Sequence, residues 1–205
     1  MSVRVLEHPL AQHYLTCLRD QATDPHTFRR YGRILAGMLV LEATREMGMR
    51  GREIRTPLEP MQGRELAYGL VAVPILRAGL SMLEPTLELF PDVSVGYIGL
   101  ERDHQTAVAR SYYKKLPEVA GRFVLVLDPM LATGGSASQA VSLVKAGSPA
   151  RVSLVSIVAA PEGVAKMQAD HPDVEIVTAG LDRELNNLKY ILPGIGDYGD
   201  RLFGT

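Results

Sequence analysis

Two stretches near the N-terminus carry apolar residues at three- and four-residue intervals, the spacing that gathers them on one face of an α-helix. They are Leu10, Tyr14 and Leu18 in the first stretch, and Phe28, Tyr31, Leu35, Met38 and Leu41 in the second. Asp24 followed by Pro25 is typical of a helix start, because aspartate accepts hydrogen bonds from first-turn amides and proline fits the first helical position. The pattern predicts a short helix followed by a long one over residues 24–47.

Farther along the chain, short apolar runs rich in β-branched residues alternate with helix-like stretches. The predicted strands cover residues 70–76, 93–98, 123–127, 152–159 and 174–178, and the predicted helices cover 80–90, 136–146 and 162–169. This alternation is typical of βαβ units, so we expect an α/β fold with a mainly parallel, doubly wound sheet flanked by helices. Before it, Pro57 and Pro60 interrupt residues 53–61, which favours an extended β-arm over a central strand.

Two segments break the alternation: the polar residues 101–117 and the Gly-rich residues 192–205. Long irregular segments in compact domains are commonly lids or binding loops, and ligand sites in open α/β sheets form beyond the carboxyl ends of the strands. Residues 101–117 are therefore the candidate lid. For the tail we expect a structured ligand loop, held to the core by Ile195, Tyr198, Leu202 and Phe203.

Composition places the chain among ordinary globular proteins. Its 205 residues are 46% hydrophobic and 22% charged, which fits one domain and argues against a disordered, collagen-like or disulfide-rich protein. A net charge of -1 gives no support for a nucleic-acid or membrane partner. The single cysteine, Cys17, is interpreted as a buried structural residue. Since no apolar run resembles a signal peptide or a membrane span, we expect a cytoplasmic protein.

The chain from Asp128 to Ser136 follows a predicted buried strand and opens a predicted helix. Its Thr-Gly-Gly-Ser turn over residues 133–136 exposes backbone N–H groups and two hydroxyls at a helix N-terminus, where the helix dipole also favours a phosphate. Asp128, just ahead of the turn, is placed to accept hydrogen bonds from two adjacent ribose hydroxyls. The alternative is a plain tight turn with Ser136 as the helix N-cap. The sequence contains neither a P-loop nor a dinucleotide-binding GxGxxG motif here.

The same segment, DPMLATGGS, resembles the phosphoribosyl pyrophosphate (PRPP) signature of type I phosphoribosyltransferases. That signature usually has two adjacent acids, and the form with Pro129 in place of the second acid resembles the uracil phosphoribosyltransferases. The resemblance implies PRPP contacts along the whole motif. Its residues are Asp128, Pro129, Met130, Leu131, Ala132, Thr133, Gly134, Gly135 and Ser136.

Two arginines are candidates for holding the diphosphate of PRPP. Arg77 lies at a predicted strand-to-helix turn beside Gly79, in a segment that also resembles the family's diphosphate loop, and Arg102 follows another strand. A guanidinium stays charged and can grip phosphate oxygens with two hydrogen bonds, although a surface ion pair is the alternative for Arg77. Three neighbouring basic side chains are expected to face solvent: Arg110, Lys114 and Lys115. For Tyr112 and Tyr113 the sequence fits either a core position or a position in the lid.

The Gly-rich tail resembles the uracil loop of uracil phosphoribosyltransferases. Uracil presents an acceptor, a donor and an acceptor along O2, N3 and O4, so fixed main-chain groups can distinguish it from cytosine. By position, the resemblance implies base contacts for a set of four residues, one of which also contacts PRPP. The four are Ile191, Gly196, Asp197 and Tyr198, and Asp197 is the one shared with PRPP. Tyr198 stands where relatives often have a smaller residue, and a main-chain contact tolerates that difference.

Together these resemblances imply the reaction of uracil with PRPP to give UMP and diphosphate. They also imply Mg²⁺, held mainly by PRPP with no direct protein ligand, and suggest GTP as an activator. Stabilisation of the diphosphate and the ribose is assigned to Arg77, Arg102 and Asp128. No general base is assigned. His104 falls in the candidate lid, and surface positions are expected for His8, His13, His26 and His171.

The resemblance covers nearly the whole chain and implies a single type I phosphoribosyltransferase-like domain over residues 1–205. Its core would span about 68–180, a small hood would form from 1–50 and 181–205, and the β-arm would span about 51–63. The family suggests a homo-oligomer, a dimer or higher, joined through the arm. Two alternatives stay open: transfer to another base such as a purine, and a nucleotide-sensing RNA-binding regulator, which would need a basic surface.

Overall fold

The computed structural model describes residues 3–102 and 109–205, apart from the side chains of 101, 102 and 109–111. The helices and strands of this part alternate along most of its length. In chain order they are β1 (Val3–Val5), α1 (Pro9–Arg19), α2 (Pro25–Ala43), β2 (Met49–Arg55), β3 (Pro60–Leu66), β4 (Leu70–Leu76), α3 (Leu80–Leu89), β5 (Ser94–Val95), β6 (Tyr97–Arg102), β7 (Ala109–Lys115), β8 (Phe123–Leu127), β9 (Met130–Leu131), α4 (Gly135–Lys145), β10 (Arg151–Ala159), α5 (Pro161–Asp170), β11 (Glu175–Leu181), β12 (Glu184–Leu185), β13 (Ile191–Leu192) and α6 (Tyr198–Phe203).

Within the described residues, a nine-stranded sheet has the main order β1-β11-β10-β8-β4-β6-β7, with β5 beside β4 and β9 beside β10. Its strand pairs are parallel except for β6 and β7. Alternate side chains of β8 pack into two hydrophobic clusters, one on each face of the sheet. Leu125 and Leu127 pack with residues of α1, α2 and α3, whereas Val124 and Val126 pack with residues of α4 and α5. The predicted doubly wound α/β fold is therefore confirmed.

The helix start predicted at Asp24 is present in the structure. The carboxylate oxygen Oδ1 accepts hydrogen bonds from the backbone N–H groups of His26 at 2.9 Å and Thr27 at 3.1 Å, and Pro25 is the first helical residue. Helix α2 ends at Ala43, four residues before the predicted end, and the hydroxyl of Thr44 donates to the carbonyl oxygen of Val40 at 2.8 Å. The backbone N–H of Thr44 donates to the same carbonyl oxygen, at 3.1 Å, so both groups of Thr44 bond to the last turn where the helix ends.

Strands β2 and β3 form a separate antiparallel hairpin at the position predicted for the arm. All seven residues of β2 are exposed, and Leu58 in the connecting turn is 92% exposed. Arg50 and Arg52 both pair with Glu65 across the hairpin, at 2.8 and 3.0 Å. The arm therefore holds its own register without contributing to the main core.

The candidate lid over residues 101–117 is less irregular than expected. Strand β6 continues through Arg102, and Ala109–Lys115 returns as β7, so much of the segment is an antiparallel hairpin at the edge of the sheet. Residues 103–108, including His104, lie outside the described part of the chain, as do the side chains of Arg102 and Arg110. Tyr112 and Tyr113 are 54% and 44% exposed, which excludes a core position for them.

The Gly-rich tail is tied to the core, as expected, but only in part by the predicted side chains. Ile195, Tyr198 and Leu202 are buried, whereas Phe203 is 57% exposed, so its predicted anchoring role is wrong. Phe203 is the last residue of the short helix α6, and Gly204 caps that end.

Two other burial predictions are also wrong. Cys17 is half-buried rather than buried, with its Sγ 3.9 Å from Nε2 of His13. His171 is buried rather than exposed, because its Nε2 lies 2.9 Å from the carbonyl oxygen of Ser138 and 3.3 Å from the hydroxyl of Ser142. The three histidines predicted at the surface and confirmed there are His8, His13 and His26.

No helix in the described ranges is both long and apolar enough to cross a membrane.

Candidate active site

The three sequence motifs meet in one cavity of about 310 Å³ beyond the carboxyl ends of β4 and β8. In a parallel sheet these ends share one edge, so segments far apart in the chain are brought together. The phosphate-loop residues in the wall are Asp128, Met130, Ala132 and Ser136. The others are Ile75, Leu76, Arg77, Ala78 and Leu100 from the β4 and β6 side, and Lys189, Tyr190, Ile191, Gly196, Asp197, Tyr198 and Gly199 from the tail.

The predicted phosphate loop runs from β8 to the N-terminus of α4. Gly134 is the N-cap with φ 79°, and α4 begins there without a side-chain cap, so Ser136 is a first-turn residue and the N-cap interpretation of Ser136 is wrong. A β-carbon on Gly134 would lie 2.8 Å from the carbonyl oxygen of Gly163. The N-cap residue of α4 thus offers no side-chain acceptor to the first-turn amides, which suits an anion.

Two residues of the motif turn their side chains away from the cavity. Leu131 is 1% exposed and packs in the core with α4 and α5, and Pro129 is also buried. The carbonyl oxygen of Pro129 accepts hydrogen bonds from Ile157 and Val158 of β10. These residues fix the path of the loop, and only main-chain atoms of theirs are suited to reach a ligand.

Asp128 is the first residue after β8 and lies in the cavity wall. Its backbone N–H donates to the carbonyl oxygen of Val155 at 3.1 Å, which ties it to β10. Burial of the carboxylate raises the pKa of Asp128 to about 7, and a long 3.5 Å hydrogen bond from the backbone N–H of Met130 opposes that shift only weakly. Donors from a ligand would favour the charged carboxylate.

Arg77 follows β4 and is an exposed side chain of the cavity wall. The turn behind it is tight, because a β-carbon on Gly79 would lie 2.4 Å from the carbonyl oxygen of Leu127. The peptide bond between Leu76 and Arg77 is cis. Arg102 ends β6, the neighbour of β4, but its side chain lies outside the described residues and its predicted role stays a prediction.

The tail contributes Ile191, Gly196, Asp197 and Tyr198 to the wall, the four residues predicted to contact the base. Asp197 caps α6, and its Oδ1 accepts the backbone N–H of Asp200 at 3.0 Å. The Tyr198 side chain instead enters the core, where it is 2% exposed. It is therefore the main chain at residue 198 that is suited to a ligand.

Phe28, Gly32 and the half-buried Ser81 lie around the Tyr198 side chain. The Phe28 ring centroid is 5.2 Å away, and Ser81 donates a hydrogen bond to the Tyr198 hydroxyl at 3.2 Å. Burial raises the pKa of Tyr198 to about 12, so the phenol stays neutral. A β-carbon on Gly32 would lie 2.8 Å from this hydroxyl, which shows how closely α2 approaches it.

Lys189 and Tyr190 line the cavity and were not predicted from the sequence. They lie in a turn in which Oδ1 of Asn186 accepts the backbone N–H groups of Leu188 and Tyr190, both at 2.9 Å. Lys189 has φ 66°, a conformation that non-glycine residues adopt uncommonly. The asparagine of this turn was the available signal, since asparagine commonly accepts hydrogen bonds from its own backbone in turns.

The charged groups in the described wall are Arg77, Lys189, Asp128 and Asp197. No group of three or more His, Cys, Asp or Glu side chains in residues 3–102 and 109–205 is arranged to hold a metal ion. The wall thus combines cations for phosphate oxygens, a carboxylate for hydroxyls and main-chain groups for a flat ligand.

Comparison with known proteins gives a family for this arrangement. The family model described as uracil phosphoribosyltransferase matches residues 5–205. A uracil phosphoribosyltransferase of Roseiflexus sp. (strain RS-1) is 48% identical over 204 residues, which cover 99% of this chain and 98% of the relative. A solved protein from Aquifex aeolicus is 39% identical, with a TM-score of 0.95 over 100% of this chain and 99% of that one.

A more distant likeness concerns the fold alone. A hypoxanthine phosphoribosyltransferase of Staphylococcus aureus is 12% identical, with a TM-score of 0.53 over 77% of this chain and 76% of that one. The family within this fold is decided by the family match over residues 5–205 and by the 48% identity to the Roseiflexus protein. The chain belongs to the uracil phosphoribosyltransferase family.

Proposed function

We propose that this protein transfers the 5-phosphoribosyl group of PRPP to uracil and releases UMP and diphosphate, a reaction of pyrimidine salvage. One observation carries the proposal: a single cavity combines the phosphate loop, Arg77 and the Gly-rich tail. A ribose phosphate with an anionic leaving group and a flat base both find complementary groups there. Membership of the family supports the same reaction.

The PRPP half of the cavity is the loop from Asp128 to Ser136. The 5-phosphate accepts hydrogen bonds from the first-turn amides of α4, where the helix dipole adds a favourable field. Asp128 accepts hydrogen bonds from the ribose hydroxyls on the cavity side of β8. These contacts place the anomeric carbon between the phosphate loop and the tail.

Bond cleavage places negative charge on the diphosphate, which Arg77 and Arg102 stabilise. The bond between C1 and the diphosphate oxygen breaks early, the ribose becomes oxocarbenium-like, and N1 of uracil attacks from the opposite face. Electrostatic stabilisation of a leaving group by fixed cations is commonly a large contribution to catalysis. The N1 proton passes to water as the new bond to C1 forms, so the products are UMP, diphosphate and one proton.

The base half is the tail. Gly196, Asp197 and Tyr198 line the cavity, and Ile191 adds an apolar wall. Main-chain groups of these three residues are the proposed partners of the base. A base with the wrong donor and acceptor order would leave buried polar groups without partners, which penalises it by several orders of magnitude. This accounts for a preference for uracil over cytosine.

Mg²⁺ is proposed to enter with PRPP. The cavity offers two carboxylates, Asp128 and Asp197, and a magnesium ion bound to a diphosphate commonly needs only one or two protein carboxylates in addition to water. The residues therefore fit such an ion. When bound, Mg²⁺ neutralises charge on the leaving diphosphate.

The β6–β7 hairpin is the proposed lid. It stands beside β4, and its residue Leu100 lines the cavity. Closure over the substrates would exclude water, which competes with uracil as the nucleophile and hydrolyses PRPP. A closed state therefore favours transfer over hydrolysis.

The decisive experiment incubates the protein with PRPP, Mg²⁺ and each of uracil, cytosine, hypoxanthine and guanine, and separates the nucleotides by chromatography. UMP is the expected product, and omission of PRPP is the control. A nucleotide formed from hypoxanthine but not from uracil would overturn the assignment.

Assembly, activation and location complete the proposal. A homodimer or higher oligomer joined through the β2–β3 arm is supported by the exposure of the arm and of Leu58 at its tip. Sedimentation of the Leu58→Asp variant tests this, because an added charge in the interface should favour monomers. GTP activation rests on the family alone, and a cytoplasmic location rests on the apolar pattern of the sequence. Rate measurements with and without GTP, and a fluorescent fusion, test them.

A further inference from the structure

The loop that presents the base-binding groups has two halves with different surroundings. Gly196, Asp197 and Tyr198 line the cavity. Gly194 and Ile195, just before them, are buried and do not belong to the wall. Residues 194 and 195 are thus held by contacts within the protein, whereas residues 196–198 are available to a ligand.

Gly194 is held by a closed ring of hydrogen bonds. Its backbone N–H donates to Oδ2 of Asp182 at 2.8 Å, and its carbonyl oxygen accepts from Nη1 of Arg19, also at 2.8 Å. Arg19 closes the ring with a bidentate contact to Asp182, at 2.9 Å from Nη1 and 2.5 Å from Nη2. Both main-chain groups of one glycine are therefore fixed by one ion pair.

The ion pair is itself rigidly placed. The Asp182 side chain is 4% exposed, and its backbone N–H donates to the carbonyl oxygen of Ala159 at 2.8 Å, directly after β11. A buried carboxylate needs pairing, and three N–H donors supply it here. A β-carbon on Gly180 would lie 3.1 Å from Nη2 of Arg19, so the glycine leaves room for the guanidinium.

Neither Arg19 nor Asp182 touches the cavity wall. The side-chain hydrogen bonds given above connect these two residues with each other and with Gly194, and none of those bonds joins the phosphate loop. A second arginine acts on the next residue, because Nη1 of Arg201 donates to the carbonyl oxygen of Ile195 at 3.0 Å. The side-chain hydrogen bonds that position the tail are therefore distinct from the residues that form the PRPP half of the cavity.

We propose that Arg19 and Asp182 are positioning residues for base recognition. By fixing Gly194 they set the direction in which the main-chain groups of residues 196–198 face the pyrimidine edge. The ion pair thus affects uracil affinity and the discrimination against cytosine far more than PRPP affinity, because Asp197 is the only residue of this segment assigned to PRPP, and the phosphate loop and Arg77 carry the other assigned contacts. This inference rests on the proposed function.

Two conservative variants test the inference. Asp182→Asn keeps one acceptor oxygen for Gly194 and removes the charge, and Arg19→Lys keeps the charge but not the two-point contact. In each, we expect the KM for uracil to rise about tenfold, a typical effect of losing a charge-assisted hydrogen bond. The KM for PRPP should stay within about twofold of the wild-type value, and the preference for uracil over cytosine should fall in parallel.

The matched control is Arg151→Lys. Arg151 pairs at 2.7 Å with Glu175, another buried carboxylate, and Glu175 begins the strand after which Asp182 follows. The control thus weakens a comparable ion pair at the opposite end of β11. It should lower the melting temperature with no change in either KM.

Hydrogen–deuterium exchange of the free protein gives a readout that does not depend on activity. The amides of residues 194–198 should exchange faster in Asp182→Asn than in the wild type and the Arg151→Lys control. Unchanged exchange and an unchanged KM for uracil would overturn the inference, as would equal rises in both KM values. If the wild type forms no UMP at all, the proposed function fails instead, and the exchange result still decides the role of the ion pair in the loop.

Discussion

The hydroxyl oxygen of Tyr198 occupies the space that a β-carbon on Gly32 would need, 2.8 Å from the ideal position of that carbon. The next tyrosine atom, Cζ, is 3.8 Å away, so the hydroxyl alone makes the approach close. Helix α2 therefore approaches the start of α6 closely, because Gly32 leaves room for the hydroxyl of Tyr198.

This close contact predicts that Gly32→Ala changes the free energy of unfolding in opposite directions in the wild type and in the Tyr198→Phe background. Gly32→Ala should lower the free energy of unfolding by about 1–3 kcal/mol, the usual cost of overpacking a core. In the Tyr198→Phe background the hydroxyl is gone, and the same change should raise that free energy by about 0.5–1 kcal/mol, because alanine favours a helix over glycine. Urea unfolding of the four proteins in this double-mutant cycle measures both effects.

Tyr198→Phe alone should cost about 0.5–1.5 kcal/mol of stability, for the lost hydrogen bond with Ser81. Its KM for uracil should be unchanged, because the ring lies in the core and only the main chain is suited to the base. A large rise in that KM would show that the phenol itself takes part in recognition.

Local patterns in the sequence were sufficient for the centre of the fold and for the turn from β8 into α4. Strands β4 and β8 begin and end at the predicted residues, since each is an uninterrupted apolar run buried on both faces. Strand β7 was missed because it is an edge strand whose residues 112–115 are all exposed, so it lacks an apolar run.

Contacts between distant parts of the chain could not be predicted in the same way. His171 lies 33 residues from Ser138, its partner in the fold, and a lone histidine in a polar stretch indicates nothing of that contact. The pairing of Arg19 with Asp182 spans 163 residues. Of the nine motif residues from Asp128 to Ser136, the cavity wall includes four, and the sequence missed Lys189, which lies in the turn around Asn186.

Gly134→Ala should damage the phosphate loop. Its φ of 79° disfavours a side chain, at a cost of about 1–2 kcal/mol, and the new β-carbon would meet the carbonyl oxygen of Gly163 at 2.8 Å. We expect the KM for PRPP to rise about tenfold or more, because the first-turn amides of α4 shift from the phosphate. Steady-state kinetics at saturating uracil measures the effect.

Gly121→Ala is the control for this substitution. Gly121 has φ 65°, but a β-carbon there meets no atom within 4 Å, and the residue lies before β8, at the far end of that strand from the cavity. It should lose about 1 kcal/mol of stability with an unchanged KM for PRPP. Equal effects on PRPP in both variants would contradict the role assigned to the loop.

Asp128 makes stability depend on pH. Its folded pKa of about 7 is above the unfolded value, so the folded state binds the proton more tightly, and this contribution to stability falls as pH rises from about 4 to about 7. Asp128→Asn should therefore be more stable than the wild type at pH 8, by on the order of 1–4 kcal/mol, with the gap closing toward pH 4. Urea unfolding across this range measures the difference. A constant gap would contradict the raised pKa.

Arg77 offers the most direct test of the diphosphate site. Arg77→Met should lower kcat/KM for PRPP by about 100-fold, because a fixed cation at a developing charge is worth about 3 kcal/mol in transition-state stabilisation. Arg77→Lys should recover only part of that loss, since an ammonium cannot make the two-point contact of a guanidinium. Inhibition by diphosphate should weaken in the same order. The control is Arg183→Met, because the Arg183 side chain is 68% exposed and pairs at 3.0 Å with the neighbouring Glu184 outside the cavity wall. If Arg77→Met keeps the rate and the diphosphate inhibition of that control, the leaving group is held elsewhere in the site.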